Sequence, residues 1–92
     1  MGGKTKKDSE VVLDFLNAKA GKRFRPLKET LKHINNRLKE GFTVEELTKV
    51  ISYKVEIDAF FKENPQYINP KTLFRPSNFA NYLGEVDSYE SE

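Results

Sequence analysis

Three successive stretches of the sequence place apolar residues three and four positions apart, and glycine or proline separates each stretch from the next. The second stretch shows the pattern most clearly, with apolar side chains spaced by four, three and four residues: Leu27, Leu31, Ile34 and Leu38. This spacing puts the side chains on one face of an α-helix. No stretch of convincing length alternates apolar and polar residues as a strand does. The sequence therefore predicts an all-α fold, a compact bundle of three main helices plus a short C-terminal helix.

Capping residues and glycines set the predicted limits of the first two helices. Ser9 is the candidate N-cap of a helix over residues 10–20, and Gly21 follows that helix as a C-terminal stop. The second helix is predicted over residues 27–40. Gly41 is expected to end it, because glycine adopts the left-handed conformation of a helix C-cap at little steric cost.

The third helix has the strongest start signal in the chain. Thr43 and Glu46 match a capping box, in which the Thr43 hydroxyl accepts from the Glu46 amide and the Glu46 carboxylate accepts from the Thr43 amide. The helix is predicted to run to Lys62 and to end before Asn64-Pro65. It is expected to be the central helix because its apolar arc is broad: Leu47, Val50, Ile51, Val55, Ile57, Phe60 and Phe61.

Two shorter helical pieces are expected after the third helix. Asn69-Pro70 is a cap followed by proline at the first helical position, and it starts a turn through Leu73. Ser77 is expected to cap a last short helix, and Gly84 is expected to stop it. We expect four aromatic side chains of this segment to form a satellite core: Tyr67, Phe74, Phe79 and Tyr82.

Composition divides the chain into an arm, a domain and a tail. Residues 1–8 are polar without periodicity, which predicts a disordered basic arm or linker, and residues 9–84 are predicted to form a single helical domain. Residues 85–92 hold four acids and no base and are predicted to be a disordered acidic tail. Residues 4–39 hold 11 lysines and arginines against 4 acids, although the whole chain carries only +2. This asymmetry favours an anionic partner, and a solvated basic helix face explains it equally well.

Several classes of function lack the residues that they need. The chain has no cysteine, which excludes disulfides and thiolate metal sites, and its single histidine, His33, has no second histidine to complete a metal site. We interpret His33 as a surface or boundary residue. No serine or threonine has the base and orienter that nucleophilic catalysis needs, so we predict neither an enzyme nor a cofactor. No apolar run approaches the ~20 residues that span a bilayer, and no secretory signal is present, so we expect a cytoplasmic protein without membrane contact.

The candidate binding residues are the cations in and around the loop that Gly21 and Pro26 enclose. We define the basic ridge as six of them, for which we predict contacts to nucleic-acid phosphates: Lys19, Lys22, Arg23, Arg25, Lys28 and Lys32. A ridge of about six cations gives weak, salt-sensitive binding. Phe24 stands between two arginines, so we expect it to face inward as an anchor while the cations face out. The alternative is an exposed Phe24 that stacks on a base.

Two further cations have alternative interpretations. Arg75, between Phe74 and Pro76, is a candidate for extending the basic surface. Lys54 lies within the apolar arc of the third helix, where we expect its stem to pack and its amine to reach water. The alternative for Lys54 is a contact with a phosphate or carboxylate in a groove.

The order of motifs over about residues 11–83 resembles the conserved C-terminal domain of phage replication proteins, a group that is similar to replisome organisers and DnaD-like replication initiation proteins. The most specific pieces are these: Leu16-Asn17 followed by Gly21-Lys22-Arg23-Phe24, the join from Arg37 to Thr43, and Thr72-Leu73-Phe74 followed by Phe79 and Tyr82-Leu83. The family pattern often has a tryptophan near the position of Asp58, and we expect Phe60 or Phe61 to replace its packing.

The resemblance implies a role in initiating phage DNA replication. In that family the domain usually follows a winged-helix DNA-binding domain, for which this chain has no room, so we expect an excised domain or a short protein of the same type. The leading hypothesis is a non-enzymatic module that binds DNA without sequence specificity through the basic ridge. The alternative is a protein-interaction module that docks a replicative helicase, its loader or another copy of itself, through the aromatic C-terminal segment or the surface between Val50 and Phe61.

Overall fold

Six α-helices and one turn of 3-10 helix form the chain in a computed structural model, which describes residues 7–91. The helices are α1 (Asp8–Ala20), α2 (Lys28–Lys39), α3 (Val44–Glu56), α4 (Ala59–Glu63), α5 (Pro70–Phe74) and α6 (Pro76–Ser91), with the 3-10 turn at Pro65–Tyr67 between α4 and α5. No strand occurs within the described range, so the predicted all-α class is confirmed. The predicted basic arm over residues 1–8 lies mostly outside the described residues.

α1 begins before the predicted cap. Its N-cap is Lys7, whose side chain makes no capping hydrogen bond, and Ser9 is buried inside the first turn. The prediction that Ser9 caps the helix is therefore wrong. Asp8 and Glu10 occupy the first turn instead, where their negative charges favour the helix N-terminus without a side-chain cap. The stop at Gly21 is confirmed, since this residue adopts φ 67° and ψ 35° in the left-handed region.

α2 presents a shorter apolar stripe than predicted. Leu27 is the N-cap and 58% exposed, whereas Leu31 and Ile34 are buried. Leu27 was expected to join the stripe and does not, because an N-cap residue has extended rather than helical backbone angles. α2 ends at Lys39, and Gly41 follows with φ 108°, a conformation that side chains other than glycine rarely adopt.

The capping box at the start of α3 is confirmed. The Glu46 amide donates to the Thr43 hydroxyl at 3.1 Å, and the Thr43 amide donates to the Glu46 carboxylate at 2.9 Å. Both donors lie in the first turn, where the helix itself provides no acceptor. The signal was readable from the sequence because it depends only on residues three positions apart.

The helix that starts at Thr43 does not run to Lys62 as predicted. α3 ends at Glu56, and Asp58 caps the separate helix α4 by accepting from the Phe61 amide at 3.2 Å. The same carboxylate also accepts from Lys54 Nζ at 2.9 Å. An aspartate that satisfies an orphan amide and a buried lysine favours a new helix start over continued helix.

The caps that follow α4 agree with the sequence in one case and differ in the other. α4 ends before Asn64-Pro65 as predicted, and Asn69 accepts from the Thr72 amide at 2.8 Å to start α5. The proposed cap Ser77 is wrong. α6 already begins at Pro76, whose fixed φ suits a first helical position.

α6 is the longest helix of the chain and continues through Gly84. The prediction that Gly84 stops the helix is wrong. The prediction of a disordered tail is also wrong for residues 85–91, which belong to α6. The physical reason is packing: Val86 is only 3% exposed, and Tyr89 packs edge-on against a tyrosine of α3 with ring centroids 5.5 Å apart. Burial of these side chains outweighs the cost of a helical glycine, which is about 1 kcal/mol.

The core lies between α1, α3 and α6 on one side and α2 and α5 on the other. α1 packs on α2 and α3, α2 on α5, and α6 on both α3 and α5. The buried apolar residues are Val12, Leu13, Leu16, Leu31, Ile34, Leu47, Val50, Ile51, Phe61, Ile68, Leu73, Phe74, Phe79 and Val86. This packing holds the loop between α1 and α2 at the edge of the core.

Candidate nucleic-acid interface

One asparagine fixes the loop that carries the basic ridge. The Phe24 amide donates to Asn17 Oδ1 at 2.9 Å, and Asn17 Nδ2 donates to the Phe24 carbonyl at 2.9 Å. The backbone carbonyl of Asn17 also accepts from the amides of Gly21 and Lys22. Phe24 is half-buried against the core, which confirms that it faces inward. The loop therefore presents its cations from a backbone that is held at both ends.

Four members of the basic ridge are exposed and available to a ligand. Arg23 and Arg25 project from the loop, and Lys28 and Lys32 lie one turn apart on α2. Between residues 7 and 91, none of the four forms an ion pair. The expectation that Lys22, Arg23 and Arg25 face out while Phe24 faces in is thus confirmed for Arg23, Arg25 and Phe24, whereas Lys22 is half-buried.

The other two members of the basic ridge, Lys19 and Lys22, already have partners within the chain. Lys19 forms a salt bridge with Glu56 at the end of α3. Lys22, which is half-buried, donates from Nζ to the Pro65 carbonyl at 2.9 Å. The sequence had no means of separating these two lysines from the other four, because both partners lie more than 35 residues away along the chain.

The exposed face of α2 contains a cation that the candidate site omitted. Lys39 lies seven residues after Lys32, and therefore on the same helical face. Lys28, Lys32 and Lys39 line a shallow depression of about 460 Å³ together with Asn35 and Asn36. The helical spacing of Lys39 was the signal that identifies it. Its addition extends the basic surface along the whole length of α2.

A buried arginine joins α2 to α5. Arg37 is only 3% exposed, and it donates from Nη1 to the Phe74 carbonyl at 3.0 Å and from Nη2 to Glu40 at 2.8 Å. The guanidinium thereby satisfies a carbonyl at the C-terminal end of α5. This contact fixes Lys71 and Arg75 beside α2, where Arg75 extends the basic surface as the sequence suggested.

His33 lies between the cations of α2 and α5. Its ring is half-buried, and its Nδ1 atom is buried without a hydrogen-bond partner in the described structure. Burial and then the charges of Lys32, Arg37, Arg75 and Lys71 lower the pKa of His33 below its usual value. Burial and the surrounding positive charges therefore both favour the neutral imidazole.

The prediction that the amine of Lys54 reaches water is wrong. Its side chain is almost fully buried, and Nζ donates to Asp58 at 2.9 Å and to Glu85 at 2.6 Å. Nζ also lies 4.0 Å from the centroid of the Tyr82 ring. Burial alone would lower the pKa of Lys54, but its bonds to Glu85 and Asp58 outweigh burial and raise it. The carboxylate contact suggested by the sequence exists, and both carboxylates belong to the chain itself.

A pair of exposed aromatic rings lies next to the basic ridge. Phe60 and Tyr67 stack with centroids 5.7 Å apart and are 56% and 45% exposed. Ile57 is 42% exposed on the same part of the chain. The prediction that Tyr67 belongs to a satellite core is therefore wrong, whereas Phe61, at 4% exposure, is the phenylalanine of α4 that packs inward. Two adjacent exposed aromatic rings form an apolar surface patch, so the ring pair is a candidate contact surface.

Metal-ligand clusters and membrane-spanning helices are both absent from the described residues. Residues 7–91 contain no group of three side chains suited to hold a metal ion. None of the helices in that range is long and apolar enough to cross a membrane.

These features define a small all-α domain with one basic face and a buried lysine between its third and last helices. The family model described as the conserved phage C-terminus matches residues 12–84. The chain belongs to this family, which confirms the resemblance to a C-terminal domain of phage proteins. No curated protein and no solved structure matches the chain significantly.

Proposed function

We propose that this domain binds DNA weakly and without sequence specificity during the initiation of phage DNA replication, in the cytoplasm of the host cell. The observation that carries the proposal is a group of four exposed cations, Arg23, Arg25, Lys28 and Lys32, which form no ion pair within residues 7–91. They lie in or after the loop whose backbone Asn17 holds. Because the loop backbone is already held, less backbone entropy is lost when its cations meet a phosphate backbone. The link to replication comes from the motif order described above, and the binding is proposed to involve no catalysis.

Titration of labelled single-stranded and double-stranded DNA at several salt concentrations tests the proposal. Four phosphate contacts correspond to a slope of roughly −3 to −4 in a plot of log affinity against log salt on duplex DNA. The variant Arg23→Ala/Arg25→Ala is expected to reduce this slope by about 2. Absence of binding at low salt, or an unchanged slope in the variant, would refute the proposal.

A control variant with the same loss of charge separates local contacts from net charge. Lys7→Ala/Lys62→Ala also removes two exposed cations that form no ion pair within residues 7–91, at the N-cap of α1 and on α4, and is expected to leave the slope close to that of the unaltered chain. Lys22→Ala is expected to affect binding less than Arg23→Ala, because the Lys22 amine already donates to the Pro65 carbonyl.

A second candidate function is the docking of a replicative helicase, its loader or another copy of this chain. The stacked, exposed pair Phe60 and Tyr67, with Ile57 beside it, favours this function. Aromatic side chains of this kind are frequent anchors of protein interfaces. The variant Phe60→Ala/Tyr67→Ala is expected to weaken binding to the purified helicase or loader, or to shift a dimer to monomer in light scattering. Unchanged affinity for each protein and an unchanged mass would exclude this surface.

A further inference from the structure

The edge shared by α2 and α5 concentrates positive charge around a histidine. Lys32 belongs to α2, Lys71 to α5, and Arg75 follows α5 directly. All three are exposed, and within residues 7–91 none of them forms an ion pair. His33 lies among these cations and Arg37, whose charges disfavour its protonation; its ring is half-buried, and its Nδ1 atom has no hydrogen-bond partner in the described structure. The edge therefore holds like charges close together, and within residues 7–91 no acid forms an ion pair with them.

The fold holds this arrangement in place. Arg37 attaches the end of α5 to α2 through the Phe74 carbonyl, and Asn69 caps the start of α5. α5 therefore cannot move away from α2 to relieve the repulsion without breaking a buried charge-assisted hydrogen bond. One acid is nearby: Glu29, one turn before His33 on α2, lines a depression of about 280 Å³ together with Lys71. Glu29 is exposed and makes no ion pair with Lys71.

We propose that the α2–α5 edge is a phosphate-binding site, in which Lys32, Lys71 and Arg75 contact one phosphodiester group and the neutral imidazole of His33 lies at its floor. An arginine and two lysines supply the charge and the donors that a phosphate requires. The bound anion would offset the mutual repulsion of the cations. This inference rests on the proposed DNA-binding function and assigns it a second contact point. That point lies next to the loop of Arg23 and Arg25, because Phe24 and Lys71 line the same depression.

His33 is the natural reporter for this site because it is the single histidine of the chain. Its ring resonances in NMR can be followed against pH without ambiguity. An anion placed among Lys32, Lys71 and Arg75 favours the protonated imidazole, so the pKa of His33 is expected to rise when inorganic phosphate or a short single-stranded oligonucleotide is added. A phosphate that binds elsewhere leaves this pKa unchanged.

The variant Lys71→Ala/Arg75→Ala tests the assignment, with Lys7→Ala/Lys62→Ala as the charge-matched control. In the first variant the pKa of His33 is expected to rise without any ligand, because two neighbouring cations are gone, and to stop responding to phosphate. Its affinity for DNA is expected to fall about three- to tenfold at low salt, with a salt slope smaller by about 1.5 to 2. The control is expected to behave like the unaltered chain in each measurement.

The outcomes separate this inference from the proposed function. In one outcome, Arg23→Ala/Arg25→Ala weakens DNA binding, Lys71→Ala/Arg75→Ala does not, and neither phosphate nor DNA changes the pKa of His33. This outcome refutes the phosphate site and leaves the proposed DNA binding intact. If the unaltered chain fails to bind DNA but phosphate raises the pKa of His33 only when Lys71 and Arg75 are present, the site stands and the proposed function fails.

Discussion

The buried lysine of α3 allows a prediction in which the size of the stability loss depends on which partner is removed. Replacing both acids in Asp58→Asn/Glu85→Gln leaves the Lys54 ammonium buried with neutral partners. Asparagine is as good an N-cap as aspartate, so the start of α4 is retained and the effect reports on charge. Replacing the lysine in Lys54→Met removes the charge and keeps most of the packed stem.

The distances set the size of the expected effect. Charges 2.9 Å and 2.6 Å apart attract by about 6 kcal/mol each at an effective dielectric constant of 20, before desolvation is subtracted. Removing the partners of a buried charge costs about 3–5 kcal/mol in comparable cases. At neutral pH the loss of unfolding free energy has an upper limit of about 4–5 kcal/mol, because a lysine can be deprotonated at that cost. We therefore expect the acid double variant to lose about 3–5 kcal/mol of unfolding free energy.

Lys54→Met is expected to lose less, about 1–2 kcal/mol. The two carboxylates that it leaves behind reach water, since their side chains are 20% and 47% exposed, and solvent compensates them. Urea unfolding followed by circular dichroism gives both values. In the acid double variant the pKa of Lys54 lies below its unfolded value, so stability is expected to recover as pH rises toward 10, about where unfolded lysine titrates. A loss under about 1 kcal/mol without pH dependence, or a larger loss in Lys54→Met, would refute the reasoning.

Three further predictions concern single positions. Gly84→Ala is expected to stabilise the domain by about 0.5–1 kcal/mol, because Gly84 lies exposed within α6 and no atom from another part of the chain lies within 4 Å of the position that a Cβ would take. Gly21→Ala is expected to cost about 1 kcal/mol, because Gly21 has a left-handed backbone conformation. Thermal unfolding of the two variants measures both effects. Asn17→Ala is expected to cost about 2 kcal/mol and to speed hydrogen exchange of the Phe24 amide, since two hydrogen bonds to Phe24 are lost, and unchanged exchange would contradict this role. Burial raises the pKa of Asp58, but its bonds to Lys54 and to backbone amides outweigh burial and lower the pKa. The stability that Asp58 contributes is therefore present above about pH 4 and is lost as pH falls through the lower folded pKa. Acid unfolding of Asp58→Asn beside the unaltered chain measures this contribution.

The features that the sequence predicted correctly depend on neighbours in the chain. The capping box at Thr43, the left-handed Gly21 and the cap at Asn69 each involve residues at most four positions apart. The inward Phe24 also followed from local alternation with two arginines. Such signals are complete within one turn of chain, so no knowledge of the tertiary structure is needed.

The features that were missed depend on contacts between distant segments. α6 was expected to stop at Gly84 because of composition, yet Val86 follows Phe79 by seven residues and continues its helical face. The acids of this segment appeared to be a solvated tail because the sequence does not show that Lys54 is buried and needs Glu85. The position of Arg75 beside His33 was equally hidden, because it depends on Arg37 reaching the end of α5.

The docking of α6 also explains how a chain with a net charge of only +2 keeps a basic face. Two acids of the segment after Gly84 pair with lysines of α3: Glu85 with Lys54 and Glu90 with Lys49. A disordered tail with the same acids would be free to approach the loop and α2 and to compete with an anionic ligand for their cations. As a helix packed on α3, the segment neutralises lysines on α3 instead. The contacts that stabilise α6 therefore leave the cations of the loop, α2 and α5 without acids from that segment.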